Sequence, residues 1–306
     1  MDRAHAYAPG STSNLGPGFD CLGVAVGGLG DRVVAERADR LGVRVRSVSD
    51  PRIPLEAGRN TGALAAAAVL RRAGALDLGV ELEVEKGLPL AGGLGGSAAS
   101  AVAGAVAVNA LLGTPLGTEA LLEAALEAEA VVAGRHPDNV APSLLGGAVL
   151  VLGLEPLRWA RVRIHPSLRL VFVLPAYGVE TARARSVLPR DVSRADAVAQ
   201  AAALAGLLLG LERGDGDLIR TSVVDRIAEP ARIALYPGYA AARAAALEAG
   251  ALGVAVSGAG PTLVAIASDR DSEAAGTAAA SAYGSAGITT RTHIASADEQ
   301  GARLVS

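Results

Sequence analysis

The run Pro89-Leu90-Ala91-Gly92-Gly93-Leu94-Gly95-Gly96-Ser97-Ala98-Ala99-Ser100 decides how this chain is read. Ahead of it, Val80, Leu82 and Val84 alternate with Glu81, Glu83 and Glu85, the period of a strand with one buried face. Behind it, Ser97 to Leu112 is nearly all Ala, Val and Leu, which favours a buried helix. A strand that passes through a glycine turn into a helix leaves the first-turn N–H groups of that helix without partners. The helix dipole adds positive potential at the same place. Gly92, Gly93, Gly95 and Gly96 let a ligand reach the main chain without meeting a Cβ. The expected guest is an anion, a phosphate above all. Two familiar phosphate loops are excluded. No Lys follows the glycines, as G-x-x-x-x-G-K-[ST] requires, and Ala98 stands where the third glycine of G-x-G-x-x-G belongs.

Two further segments carry chemistry. Ala8-Pro-Gly-Ser-Thr-Ser-Asn14-Leu-Gly-Pro-Gly-Phe-Asp20-Cys-Leu-Gly23 crowds Gly, Pro and Ser around Asn14 and Asp20, and reads as a loop holding a polar ligand. Val254 to Ala267 reads as two apolar strands joined by a glycine turn, with Gly258 and Gly260 expected to bring backbone N–H groups to a common point.

Composition sets the bounds. The 306 residues allow one large or two ordinary domains, and 51% apolar residues suffice for a sizeable core. A net charge of −3 with 3% aromatics offers nucleic acid neither a basic field nor stacking platforms. Ser97 to Gly113, the longest nearly uncharged stretch, is too short and too rich in Ala for a membrane span. With Asp2, Arg3 and His5 in the first five positions there is no leader pattern, so the expected location is the cytoplasm. A single cysteine, Cys21, excludes an internal disulfide and a Cys-based zinc site. Small-molecule partners are expected, with no nucleic acid and no membrane.

Periodicity predicts strands at Arg32 to Ala35, Val43 to Val48 and Val80 to Glu85, and helices at Thr61 to Ala73, Ser97 to Leu112 and Thr118 to Val132. Beyond Pro156 the pattern reads β-α-β-β-α-β. No repeat or heptad competes with it. A division near 153–160 follows, giving domains over 1–155 and 156–306.

The pattern P-x-x-x-G-L-G-x-S-A-A resembles the phosphate loop of the GHMP kinases, and the two other segments resemble that family's first and third motifs, in its order and at its usual distances. Asn14-Leu-Gly-Pro-Gly-Phe-Asp20, His136-Pro-Asp-Asn-Val-Ala-Pro-Ser-Leu-Leu-Gly-Gly147, Thr181-Ala-Arg183-Ala-Arg185 and Glu229-Pro-Ala-Arg232 are similar to the homoserine kinase branch rather than to its galactokinase or mevalonate kinase relatives. The resemblance implies a two-domain α+β fold: an N-terminal domain like the second domain of ribosomal protein S5, a ferredoxin-like C-terminal domain, and a site in the cleft between them. It implies ATP and Mg²⁺, L-homoserine as phosphate acceptor, a role in threonine biosynthesis, and a homodimer.

Residue by residue, the resemblance gives Pro89 to Ala99, Gly258 and Gly260 to the nucleotide phosphates and sets adenine against Asn60 and Lys86. Asn60 also reads as the cap of the helix that Thr61 begins. Mg²⁺ needs few hard protein oxygens; Ser97 supplies a hydroxyl and Glu129 a carboxylate. Residues two apart cannot share a helix face, so at most one of Glu127 and Glu129 points inward; the spacing to His136 favours Glu129, while a loop one residue shorter than the family's leaves Glu127 open. Asp20 is expected to hold the acceptor's ammonium and Arg185 and Arg232 its carboxylate, leaving Asn14 and His136 for the remaining polar atoms. No general base is assigned, so positioning and electrostatics are expected to carry the rate. One departure stands out: the loop usually reads G-L-G-S-S-A, and here Gly96 replaces the first Ser. Two other functions are compatible with the motifs, a kinase for another small alcohol such as mevalonate and a ligand sensor without catalysis.

Overall fold

In the computed structural model, which describes residues 1–305, two sheets organise the chain. The first part runs β1 (Arg3–Asn14), β2 (Gly18–Ala38), β3 (Gly42–Val48), α1 (Thr61–Arg72), β4 (Gly79–Glu85), α2 (Gly96–Leu111), α3 (Thr118–Val132), α4 (Pro137–Leu145), β5 (Ala148–Leu154) and β6 (Leu157–Val162). The second runs β7 (Leu168–Pro175), α5 (Thr181–Ser186), α6 (Arg194–Arg213), α7 (Gly216–Ser222), α8 (Ala228–Arg232), α9 (Tyr239–Glu248), β8 (Gly253–Val256), β9 (Leu263–Ser268), α10 (Ser272–Ser285) and β10 (Thr290–Ala295), and ends in β11 (Arg303–Leu304).

The first sheet has the order β11-β1-β2-β4-β3, with β5 paired to β2 and β6 to β5. Only β3 and β4 are parallel. Its core is small and aliphatic: Ala6, Val33, Leu82 and Val84 of the strands meet Val102, Ala105 and Val108 of α2, and α2 is covered in turn by α1 and α3. Because α2 is covered on nearly all sides, it shows no amphipathic stripe, which is how a central helix reads in sequence.

The second sheet has the order β10-β7-β9-β8, the 4-1-3-2 arrangement of a ferredoxin-like β-α-β-β-α-β unit, as the pattern predicts. Val171, Val173 and Ala265 pack there against Tyr239, Ala242 and Ala246 of α9 and Ala275, Ala279 and Tyr283 of α10.

One expectation changes. The predicted loop over Ala8 to Gly23 is mostly a β1–β2 hairpin, with register shifts at Pro9/Ser11 and Ser13/Asn14 that free its end from the sheet. The division expected at 155/156 lies at the turn between β5 and β6, which pair from Ala148↔Val162 to Leu154↔Leu157. Strand β11 also returns to β1 at Ala6↔Leu304 and Tyr7↔Arg303, so the first sheet draws on both ends of the chain. As expected, the helix over Gly96–Leu111 is too short to cross a bilayer; among the described residues α6 alone has the length and composition to do so, and its apolar window has mean hydropathy 1.4 and is 22% buried.

Candidate active site

A cleft of about 250 Å³ opens between the two parts, lined by the phosphate-loop run from Pro89 to Ser97, by Asn14, Asp20, Asn60, Lys86, Glu129 and His136, and by Arg185, Arg232 and Gly258. Of the residues expected in the site, Ala98, Ala99 and Gly260 alone are off this lining. Ala98 and Ala99 are fully buried in the first turn of α2.

The loop is built by its glycines where sterics demand them. Gly95, the N-cap of α2, has φ +61, and a Cβ there would lie 2.1 Å from Ser11 Oγ. Gly93 has φ +77, and its Cβ would lie 2.3 Å from Ser257 O. No side chain caps α2, so the N–H groups of its first turn remain for a ligand. The dipole of a 16-residue helix backs them.

Beside this terminus Ser97 Oγ donates to Glu129 Oε1 at 2.6 Å. Glu129 is 3% exposed, its Oε2 has no partner, and burial pushes its carboxyl up to about 7 against the opposing pull of the Ser97 hydrogen bond and the Lys86 charge. Glu127 instead points out and pairs with Arg71 and Arg72 of α1. Of the two glutamates, Glu129 lines the cleft and Glu127 does not. An orphaned carboxylate oxygen beside a hydroxyl is a donor set that suits a hard divalent cation.

At the other end of the cleft, Arg185 forks onto Asp20 at 2.7 and 3.2 Å and donates to His136 Nδ1 at 3.0 Å. His136 Nε2 lies 3.0 Å from Ala133 O. The ring therefore carries its proton on Nε2 and presents Nδ1 as an acceptor. Burial, aided by the Arg185 charge, holds its pKa below the ordinary value and keeps it neutral. Arg232 is 4% exposed and lies over the Phe19 ring at 5.3 Å; it donates to Ala184 O and Gly258 O but to no carboxylate among the described residues. A buried guanidinium without a counter-ion is an anion site awaiting its guest.

Several of these side chains also make scaffold contacts. Asn14 spends its amide on the scaffold: Oδ1 accepts from Asp20 N at 3.0 Å and Nδ2 donates to Gly258 O at 2.9 Å. This clip holds Asn14 and Asp20 in left-handed conformations, with φ of 77° and 56°, and joins the first hairpin to the last. Gly258 N and Gly260 N do not converge on a ligand, because they bond Ser13 O and Ser257 O. The glycine hairpin braces the phosphate loop through Ser257, whose Oγ lies 2.7 Å from Gly93 O. Asn60 caps α1, accepting from Ala63 N and donating to Pro54 O. The Lys86 ammonium, at the cleft wall, is held by Asp31, Gly96 O and Ser100.

Two lining residues escaped the sequence reading, although both lie in the His136-Pro-Asp-Asn string. Asp138 is 2% exposed and has an unpartnered Oδ1; burial and then the Asp20 charge push its carboxyl up to about 7. Asn139 accepts from Ser11 Oγ and donates to Ser13 Oγ. A polar pair opening an otherwise apolar helix was the available signal.

Comparison with known proteins agrees with this geometry. Residues 60–147 match the family described as GHMP kinases N terminal domain, and residues 207–286 match GHMP kinases C terminal. The chain is 42% identical over 310 residues to a homoserine kinase of Xanthomonas campestris, covering 100% of this chain and 95% of that one. It is 41% identical over 314 residues to a homoserine kinase of Xylella fastidiosa, with 99% and 94% covered. The crystal structure of homoserine kinase from Cytophaga hutchinsonii superimposes with a TM-score of 0.95 at 38% identity, covering 100% of this chain and 98% of that one. The chain belongs to the GHMP kinase family and, within it, to the homoserine kinases.

Proposed function

We propose that the chain transfers the γ-phosphoryl group of ATP to the side-chain hydroxyl of L-homoserine, yielding O-phospho-L-homoserine and ADP for threonine biosynthesis in the cytoplasm. The observation that carries this reading is the pairing of ends in one cleft. An uncapped helix N-terminus with Ser97 and Glu129 faces a site that carries one carboxylate and two guanidinium groups. A zwitterionic amino acid matches that second set, its ammonium going to Asp20 and its carboxylate to Arg185 and Arg232.

The first-turn amides of α2 hold the ATP phosphates, and Ser97 and Glu129 hold Mg²⁺. When bound, that ion neutralises phosphate charge. Arg185 and Arg232 fix the acceptor's carboxylate, with His136 Nδ1 orienting the Arg185 fork. Asp20 anchors the ammonium, so that the hydroxyl is aimed along the cleft toward the loop. No side chain is assigned as base; alignment and electrostatic stabilisation supply the acceleration, and the hydroxyl proton leaves late or through a γ-phosphate oxygen.

The test is coupled ADP release with L-homoserine, 4-hydroxybutyrate and mevalonate as acceptors. Turnover with L-homoserine and little with 4-hydroxybutyrate, which lacks the ammonium, is expected. Preference for mevalonate would point to another alcohol kinase, and ATP binding without turnover on any acceptor to a sensor.

A further inference from the structure

Lys86 is the chain's single lysine, the other cationic side chains among its 28 Lys and Arg being arginine. Its side chain is 6% exposed, and that of Asp31, its partner, is 0% exposed. Besides pairing with Asp31 Oδ2, Lys86 Nζ donates to Gly96 O at 2.7 Å and reaches Ser100 Oγ at 3.0 Å. Asp31 is fully employed as well: Oδ1 accepts from Gly87 N at 3.1 Å and Leu88 N at 3.3 Å, and Oδ2 accepts from Ser100 Oγ at 2.7 Å. One buried pair thus fastens β2, the chain leaving β4 and the first turn of α2 to one another.

The stereochemistry explains the choice of residue. An ammonium offers three tetrahedrally disposed N–H groups and here meets three separate acceptors, whereas a guanidinium presents a planar fork suited to one carboxylate. Space is short too, since a Cβ on Gly96 would lie 3.3 Å from Nζ. Gly96, where the loop departs from its usual pattern, leaves that room. The clamp acts on the residue immediately before Ser97, whose carbonyl is held from the other side by Thr61 Oγ1 at 3.0 Å.

We propose that Asp31 and Lys86 are positioning residues of the phosphate loop, a buried ionic clamp that sets the N-terminus of α2 for ATP. The proposal rests on the reading that this loop holds the ATP phosphates. A misplacement of about 1 Å at a reacting site costs on the order of 100-fold in rate, so modest slippage of the helix start is measurable.

The experiment measures melting temperature and both KM values for Lys86→Arg, for the doubly neutral Asp31→Asn/Lys86→Met protein and for Ser97→Ala. Lys86→Arg keeps the charge but not the geometry, and is expected to raise the ATP KM about tenfold or more while the homoserine KM stays within about twofold. The double variant removes both buried charges, so it is expected to fold even if single variants do not, and still to bind ATP poorly. Recovery of the wild-type ATP KM in the double variant would reduce the pair to charge balance and overturn the proposal, as would a Lys86→Arg protein with unaltered ATP kinetics. Ser97→Ala separates the two levels of inference. If it too leaves ATP kinetics unaltered, the loop reading has failed; if it alone impairs them, the loop stands and the clamp falls.

Discussion

Replacing Arg232 by methionine keeps most of the side-chain stem and removes a guanidinium that has no carboxylate partner among the described residues. The neighbouring acids are engaged elsewhere, Asp20 with Arg185 and Glu229 opposite Arg243. Two of the Arg232 donors are spent on Ala184 O at 2.9 Å and Gly258 O at 3.2 Å, leaving the rest of the fork for a ligand carboxylate. Removing one member of a desolvated charge pair costs ~2–5 kcal/mol. With part of the fork already committed, the lower half of that range applies. At ~1.4 kcal/mol per factor of ten, ~2–3 kcal/mol corresponds to a rise of about 30- to 150-fold in the homoserine KM. The contact is made alike in ground and transition states, so kcat should fall much less. Stability should move little, because losing an unpaired buried charge offsets the two lost backbone hydrogen bonds. Steady-state kinetics at saturating ATP, with a thermal melt on the same preparation, read all of this. An unchanged homoserine KM, or a change confined to the ATP KM, would refute the assignment of Arg232 to the acceptor carboxylate.

Glu129→Gln should lower kcat by at least about 100-fold while Glu127→Gln stays near wild type, since only Glu129 faces Ser97; comparable losses in the two would remove Glu129 from the metal site. Asp20→Asn should chiefly raise the homoserine KM, and a collapse of kcat at constant KM would instead make Asp20 a general base. Asp138, pushed up to about 7 in the fold by burial from an ordinary value of 3.8, holds its proton over a pH range in which the unfolded chain would release it. Its contribution to stability is therefore full below pH 3.8 and shrinks, by on the order of 4 kcal/mol, as pH rises to about 7. Denaturant titrations of Asp138→Asn should accordingly show the variant gaining on wild type between pH 4 and 8, and a constant difference counts against this titration. Gly93→Ala should raise the ATP KM and lower the melting temperature, because its Cβ would lie 2.3 Å from Ser257 O and 2.9 Å from Gly260 O; a variant unaltered in both would show that the loop yields freely there.

The strand, glycine turn and helix around the phosphate loop were legible because two periodicities meet at residues that only a special backbone requires. The sheet order of the second part was legible for a similar reason, since alternating strand and helix patterns leave few topologies. Pairing across distance was not. The hairpin through Asn14 and Asp20 is rich in Gly, Pro and Ser, which hide strand periodicity, and only its tertiary register makes it a strand. Helical spacing could say that one of Glu127 and Glu129 faces inward; Arg71 and Arg72, on another helix, decide which. The Lys86–Asp31 pair was not legible, because Asp31 lies 55 residues away and carries no local signal of burial. The glycines of the last hairpin announced a close approach correctly, but the backbone they approach is the phosphate loop's own neighbour strand and not a ligand.

The return of β11 to the edge of β1 bears on how the protein is made. During synthesis β6 leaves the ribosome roughly 140 residues ahead of β11, an interval of about 7 to 28 s at ~5–20 residues per second. Throughout that time β1 presents an unpaired edge, a template for strands of other nascent chains. The preceding segment is also missing, and with it the bonds from Gly27 N to Ser296 O and from Asp298 N to Ala25 O that lace β2 from outside. The first sheet is therefore finished only after the second part has been translated, and a chaperone that shields one short strand edge would protect the whole interval.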